Sequence, residues 1–158
     1  MKDKAILIDA NVWVDYFVNR SSKNKDALAL ISKSYASDSC LLCTPITSVN
    51  NIYYAIRQYL KQEAREDEEP LDEEVAKAAN EIAWACLATL RKLSFIVPAD
   101  ENDMIEASIL KGIHFDYEDN LVAAAAKRVG AEYIVTSDEQ MLARQPYPCR
   151  SLVDALAD

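Results

Sequence analysis

Aspartates follow two short apolar runs of the sequence. Asp9 comes directly after the run 5–8, and Asp138 comes three residues after the run 133–135. A third acid, Asp119, begins a stretch that carries apolar residues at helical spacing. Carboxylate oxygens, with water in the remaining positions, are the ligands that Mg²⁺ or Mn²⁺ prefers. The sequence therefore predicts a divalent-metal site wherever the fold brings these acids together.

Helix capping is the structural alternative for each of these acids. An aspartate placed before a helix accepts hydrogen bonds from backbone N–H groups and offsets the positive end of the helix dipole. Asp116, three residues before Asp119, and Asp138 both suit that role. Asp9 is harder to explain as a cap alone, because it ends a predicted buried strand. Taken singly, the acids leave both interpretations open.

The elements that must position these acids alternate along the chain. Strands are predicted at the short apolar runs 5–8, 40–44, 95–97 and 133–135, with an edge strand at 148–150. Helices are predicted at 10–18, 23–36, 46–62, 72–92, 101–111, 118–129, 138–143 and 151–157. This alternation predicts an α/β fold, a three-layer α/β/α sandwich with a central parallel sheet of four to five strands. Ligand sites in such sheets lie at the carboxyl ends of the strands.

The composition fits one compact domain covering residues 1–158, since 51% of the 158 residues are hydrophobic. No run reaches the roughly 18 apolar residues of a membrane span, so a cytoplasmic protein without a membrane partner is expected. The only glycines, Gly112 and Gly130, leave no phosphate-binding glycine loop. A receiver-like or phosphatase domain also places acids at strand ends, but it requires a late lysine, and none follows Lys127.

The formal net charge of −9 is concentrated in one segment. Eight acidic residues and only one basic residue, Arg65, lie between positions 63 and 74. We expect an acidic helical protrusion around 61–75, either a solvated tip or a docking surface for a basic partner. The rest of the chain is nearly neutral, so the overall charge does not exclude nucleic-acid binding when metal ions supply positive charge.

The cysteines and the single histidine are not expected to act chemically. Cys40 and Cys43 have the spacing of a zinc or redox motif, but residues three apart on a strand point to opposite faces. No second Cys or His pair completes a tetrahedral site. We therefore predict that the cysteines pack as small hydrophobic side chains. His114 is predicted to be a surface residue at a helix end rather than a proton shuttle.

The ordered motifs resemble those of PIN domains. Ile8-Asp9-Ala10-Asn11-Val12 is similar to the opening motif of that family, Phe115-Asp116-Tyr117-Glu118-Asp119 to its third and Val135-Thr136-Ser137-Asp138 to its fourth. The segment 146–152 is similar to the closing strand and short helix of the family. The resemblance spans nearly the whole chain, apart from an enlarged region at 63–92.

The resemblance implies a function, because PIN nucleases include the VapC-type toxins of toxin–antitoxin pairs. Their acids hold one or two divalent ions that activate water for attack on an RNA phosphodiester. By motif, Asp9, Asp119 and Asp138 would bind Mg²⁺ or Mn²⁺, with Asp116 as a supporting ligand. The resemblance also implies an RNA substrate, a small antitoxin partner and a homodimer.

The second motif departs from the family pattern. The family usually has a hydroxyl residue followed three positions later by Glu, whereas this chain has Ser48 and Asn51. Helical spacing places both residues away from the apolar arc of their helix, so Asn51 should face the site as a fourth catalytic candidate. An Asn here also occurs in a branch of PIN-like proteins that this chain resembles. Because the change removes a negative charge, the alternative function is a catalytically weak or inactive PIN-fold binding or scaffold module.

Two further groups are predicted around this site. Hydrogen bonds that orient the carboxylates are expected from Asn11, Ser48 and Thr136. Stacking and phosphate contacts with single-stranded RNA are expected from Tyr54, Arg57 and Lys61. The alternatives are ordinary capping and packing for the first group and an ordinary helix surface for the second.

Overall fold

The structure is a computed structural model that describes residues 4–67 and 72–158. In these ranges the strands are β1 (Lys4–Ile8), β2 (Cys40–Pro45), β3 (Phe95–Val97), β4 (Ile134–Val135) and β5 (Cys149–Arg150). The helices are α1 (Ala10–Phe17), α2 (Lys23–Ala36), α3 (Ile46–Glu66), α4 (Glu73–Leu93), α5 (Glu101–Leu110), α6 (Tyr117–Val129), α7 (Glu139–Arg144) and α8 (Leu152–Leu156).

The five strands form one parallel sheet in the order β3-β2-β1-β4-β5. This confirms the predicted α/β class and its parallel sheet. The middle strand is β1, where Leu7 is paired with Cys43 of β2 and with Ile134 of β4. β2 and β3 lie on one side of β1, whereas β4 and β5 lie on the other. Open parallel sheets form their ligand crevices where the strand order reverses in this way. Asp9 directly follows β1, and Asp138 follows β4 after two residues.

A hydrophobic cluster covers each face of the sheet. Ile6 and Ile8 of β1 pack with Trp13 on one face, whereas Leu7 packs with Val97 on the other face beneath the alanine-rich α6. Side chains alternate between the faces of a strand, so a buried central strand needs apolar residues at every position. Trp13 also donates its indole N–H to the buried hydroxyl of Thr44 at 2.8 Å. The sheet is therefore fixed from both sides, and its carboxyl edge is a rigid platform.

The two cysteines of the 40–43 segment lie on opposite faces of this sheet. Cys40 belongs to the cluster that contains Trp13, and Cys43 to the cluster beneath α6. Cys40 and Cys43 thus point to opposite faces, as the strand geometry predicts.

Most of the segment predicted to be enlarged, 63–92, lies in α3 and α4. α3 continues to Glu66, beyond the predicted end at 62, because neither glycine nor proline interrupts the segment before Pro70. α4 begins after Asp72, whose carboxylate accepts a hydrogen bond from the backbone N–H of Val75 at 3.0 Å. The predicted acidic protrusion lies partly outside the described residues, which omit 68–71. No helix in the described ranges is long and apolar enough to cross a membrane.

Candidate functional site

Asp9 is held rigidly where β1 meets α1. Its Oδ1 accepts the backbone N–H of Ala10 at 2.7 Å, so it does cap α1. Its Oδ2 accepts from the hydroxyl of Thr136 at 2.8 Å and from the amide of Asn11 at 2.9 Å. The residue is only 7% exposed. Capping and a role in a site are therefore compatible at this position.

Thr136 and Asn11 connect the two strand ends. The Thr136 hydroxyl also accepts the backbone N–H of Asp138 at 3.0 Å and the amide of Asn11 at 3.2 Å. The Asn11 carbonyl oxygen accepts the backbone N–H of Ser137 at 3.1 Å. The two bonds of Asn11 span more than a hundred residues of sequence and connect the loop after β4 to the first turn of α1. Two of the three residues predicted to orient the carboxylates, Asn11 and Thr136, thus contact Asp9.

Asp138 and Asp116 are helix caps in the structure. Oδ1 of Asp138 accepts from the backbone N–H groups of Gln140 and Met141 at 2.7 and 3.0 Å. Oδ1 of Asp116 accepts from the backbone N–H of Asp119 at 3.0 Å. Each cap uses one carboxylate oxygen, so the second oxygen of either residue can still serve another ligand.

Asp119 is the third residue of α6 and is bound by a buried histidine. Its Oδ2 lies 2.7 Å from Nε2 of His114, which is only 3% exposed. The prediction that His114 lies on the surface is wrong. After α5 the chain turns back, with the backbone N–H of His114 donating to the carbonyl of Leu110, and Asn120 donates to the carbonyl of His114 at 2.7 Å. This turn carries no periodic pattern, so the inward direction of the imidazole could not be predicted from sequence.

A cavity of about 170 Å³ opens where β1, α3 and α6 meet. Its polar lining consists of Asp9, Thr47, Ser48, Asn51, Tyr117, Glu118 and Asp119. Asn51 faces the cavity, as its helical position predicts. Ser48 is also in the lining and is buried, but no hydrogen bond joins it to a carboxylate in the described residues. Neither Asp116 nor Asp138 is part of the lining.

Glu118 is a lining residue that sequence reasoning missed. Its Oε2 accepts the side-chain amide of Asn51 at 2.9 Å. Glutamate in the first turn of a helix is common, because it offsets the helix dipole, so its residue type alone gave no signal. The contact joins residues 67 positions apart and becomes visible only in the folded chain.

The carboxylates around the cavity repel one another. The pKa of Asp9 is raised to about 6, chiefly by burial and also by the charges of Asp119 and Asp138, against the lowering effect of its hydrogen bonds. Burial also raises the pKa of Asp119, and the charges of Asp116 and Asp138 act in the same direction. Several negative charges thus share a poorly solvated region, where a bound cation would relieve their repulsion.

The donor set has the chemistry that a divalent cation requires. Three carboxylates, an amide and three hydroxyl side chains line one cavity, and oxygen ligands of this kind suit Mg²⁺ or Mn²⁺. As the side chains stand, no three His, Cys, Asp or Glu residues in 4–67 and 72–158 are grouped closely enough to hold a metal ion. Binding therefore requires at least one carboxylate to turn further into the cavity.

A basic groove runs along α3 away from the cavity. It is lined by Tyr54, Arg57, Gln58, Lys61, Gln62 and Arg65. The Arg57 guanidinium lies 5.5 and 5.7 Å from the ring centres of Tyr53 and Tyr54. Asn51 and Arg65 lie on the same side of α3, because the residues between them recur at spacings of three and four. At a rise of 1.5 Å per residue, the segment from Asn51 to Arg65 extends about 21 Å along α3, away from the cavity.

Known proteins share both sequence features and the fold with this chain. A family model described as PIN domain matches residues 5–140. The crystal structure of Mycobacterium tuberculosis VapC20, a sarcin-ricin loop cleaving toxin, has a TM-score of 0.62 at 12% identity, covering 87% of this chain and 93% of that one. VapBC2 from Rickettsia felis, bound to a DNA fragment from its promoter, has a TM-score of 0.61 at 12% identity, covering 93% of this chain and 98% of that one. At such identities the likeness shows a shared fold. No curated protein sequence matches this chain.

Proposed function

Because this chain belongs to the PIN domain family, we propose that it is an endoribonuclease dependent on Mg²⁺ or Mn²⁺ and the toxin of a toxin–antitoxin pair. One observation carries the proposal. The carboxylates of Asp9, Glu118 and Asp119 line a single cavity at the carboxyl edge of the sheet, and the charge of Asp119 helps to raise the pKa of Asp9 there. VapC20, a sarcin-ricin loop cleaving toxin, has the same fold and supports the assignment.

The metal ligands of the proposed enzyme are Asp9, Asp119 and Asp138, with Asp116 in support. A bound divalent ion supplies two effects, a lower pKa for its water and neutralisation of charge developing on the phosphate. The hydrogen bonds of Asn11 and Thr136 hold Asp9 in one orientation, so its carboxylate is already directed when the ion arrives.

His114 has a positioning role in this site. An ionised carboxylate only accepts hydrogen bonds, so the imidazole donates to Asp119 through Nε2–H. Because His114 is buried, water does not compete for that bond, and one oxygen of Asp119 is fixed. Asp119 also lines the cavity, and its other oxygen can serve a metal ion.

The basic groove of α3 suits the RNA strand that leads to the cavity. Arg57, Lys61 and Arg65 lie in the groove where they can contact successive phosphates, and Tyr54 offers an exposed ring for a base. The cation–π contacts of Arg57 restrict its guanidinium before RNA binds. The groove therefore supplies the positive charge that the net composition lacks.

We also propose that two copies of the chain, each a single domain of residues 1–158, pair through α5. Exposed apolar side chains recur every fourth residue at Ile105, Ile109 and Ile113 and continue to Phe115. Such a stripe is unfavourable in water and suits a second copy of the same surface.

The acidic residues on either side of 68–71 suit a basic segment of an antitoxin. Such a toxin would act on RNA in the cytoplasm.

RNA cleavage by the purified protein tests the central proposal. With Mn²⁺, the wild type should degrade a structured RNA, and Asp9→Asn and Asp119→Asn should each abolish the cleavage. Asp38→Asn is the matched control, because Asp38 is exposed at the opposite edge of the sheet. Equal residual cleavage by the wild type and both site variants would indicate a contaminating nuclease and overturn the proposal. Absence of cleavage in a wild type that still binds a partner would favour the scaffold alternative.

A further inference from the structure

We infer that Glu118 supplies the acidic group that the second motif lacks, and that Asn51 positions it. The inference rests on the proposed metal-dependent function and concerns the same cavity. The simplest interpretation of Asn51 is that the site has lost a negatively charged ligand. In the arrangement inferred here, α6 supplies that negative charge through Glu118.

The contact between the two residues has a definite direction. Nδ2 of Asn51 lies 2.9 Å from Oε2 of Glu118. Because a carboxylate only accepts, the amide must present its N–H₂ group to Glu118 and not its carbonyl oxygen. The bond occupies one carboxylate oxygen, and Oε1 remains for another ligand. Both residues line the cavity together with Asp9 and Asp119.

A glutamate at position 51 would be incompatible with this arrangement. It would place a second carboxylate where the Asn51 amide now donates, and two like charges at that separation repel each other. The amide at 51 and the acid at 118 are therefore a matched pair, in which the residue on α3 holds the acid that α6 contributes. With Glu118, three carboxylates line the cavity although position 51 carries none.

Stability does not explain the pair. Both side chains are exposed, and a hydrogen bond between exposed side chains contributes little to folding. The first turn of α6 already contains Asp119 and follows the Asp116 cap, so the helix does not depend on Glu118 for its start. The hydrogen bond instead fixes the Glu118 carboxylate at the mouth of an acidic cavity, where its negative charge adds to the electrostatic field that attracts a cation.

Mn²⁺ titration by calorimetry tests the inference without requiring activity. Glu118→Gln should weaken Mn²⁺ binding by about 10–100-fold, the usual cost of losing a group that tunes a metal site. Glu101→Gln is the matched control, because it removes an exposed glutamate from the first turn of another helix, and it should bind Mn²⁺ as the wild type does. Thermal melts without metal should be unchanged for both variants.

A double-mutant cycle tests the positioning role of Asn51. Asn51→Ala should weaken Mn²⁺ binding by about 10-fold in the wild-type background and not at all in the Glu118→Gln background. Additive losses would show that Asn51 acts independently of Glu118 and would overturn the positioning claim. Wild-type affinity in Glu118→Gln, with binding abolished in Asp9→Asn, would overturn the inference and leave the metal site intact. No Mn²⁺ binding by the wild type at millimolar concentration would instead refute the proposed function.

Discussion

Metal-free protein should become less stable as the pH rises, and Asp9 should be the residue responsible. Burial, followed by the charges of Asp119 and Asp138, holds its pKa at about 6 in the folded state, against an ordinary value of 3.8. The folded protein therefore binds the Asp9 proton more tightly than the unfolded chain does. Stability is highest where this carboxyl is protonated and declines as the pH rises through the interval between the two pKa values.

The size of the effect follows from these two values. The difference between a pKa of about 6 and 3.8 corresponds to about 3 kcal/mol of unfolding free energy over the whole transition. Between pH 4.5 and 7.5 the expected loss is about 2 kcal/mol, because part of the change occurs below pH 4.5. Asp9→Asn removes the titrating group. The variant also alters the bonds to Asn11 and Thr136, but that cost is independent of pH and cancels when the slopes are compared.

Urea unfolding in EDTA at several pH values measures this difference. The wild type should lose about 2 kcal/mol relative to Asp9→Asn between pH 4.5 and 7.5. Asp100→Asn provides a control of opposite sign, because a hydrogen bond from Arg128 lowers the pKa of Asp100, so its contribution is lost as the pH falls. Parallel pH profiles for the wild type and Asp9→Asn would refute the claim that Asp9 is held as a buried, repelled charge.

Two further predictions concern the surfaces around the site. Lys61→Ala should weaken binding of single-stranded RNA and reduce the slope of log K against log salt by about 0.7, the effect of one lost phosphate contact, whereas Lys77→Ala on the neighbouring helix should leave the slope unchanged. Equal slopes for both variants would show that the RNA does not follow the basic groove. Ile109→Glu should shift the protein from dimer to monomer in sedimentation velocity, and Val153→Glu, an equally exposed apolar position at 67%, should not. A wild type that sediments as a monomer would contradict pairing through α5.

Short apolar runs predicted most of the fold because parallel strands buried on both faces need them. The runs at 5–8 and 40–44 predicted their strands for this reason. Asp9 after β1 and Asp138 after β4 indicated the edge of the sheet at which a site was expected. The order of the strands could not be predicted in the same way. Sheet order depends on which crossovers pass each face, and no local pattern encodes that choice.

The sequence indicated a site residue only where its type and its position in a strand or helix were informative together. Asp9 ends a buried strand, and Asn51 lies on the polar side of its helix, so both positions pointed to the cavity. His114 gave no such signal, since its burial depends on a turn without periodicity. Glu118 resembled an ordinary first-turn acid until α3 and α6 were placed side by side. Contacts between distant helices are properties of packing, and a single sequence does not display them.

Anomalous scattering from crystals soaked in Mn²⁺ tests the metal site most directly. A manganese peak should appear in the cavity between Asp9 and Asp119, within coordination distance of carboxylate oxygens from β1 and α6. The same soak of Asp119→Asn crystals should show a weaker peak or none. A wild-type crystal saturated with Mn²⁺ that shows no peak in this cavity, or a peak only elsewhere on the surface, would contradict the account.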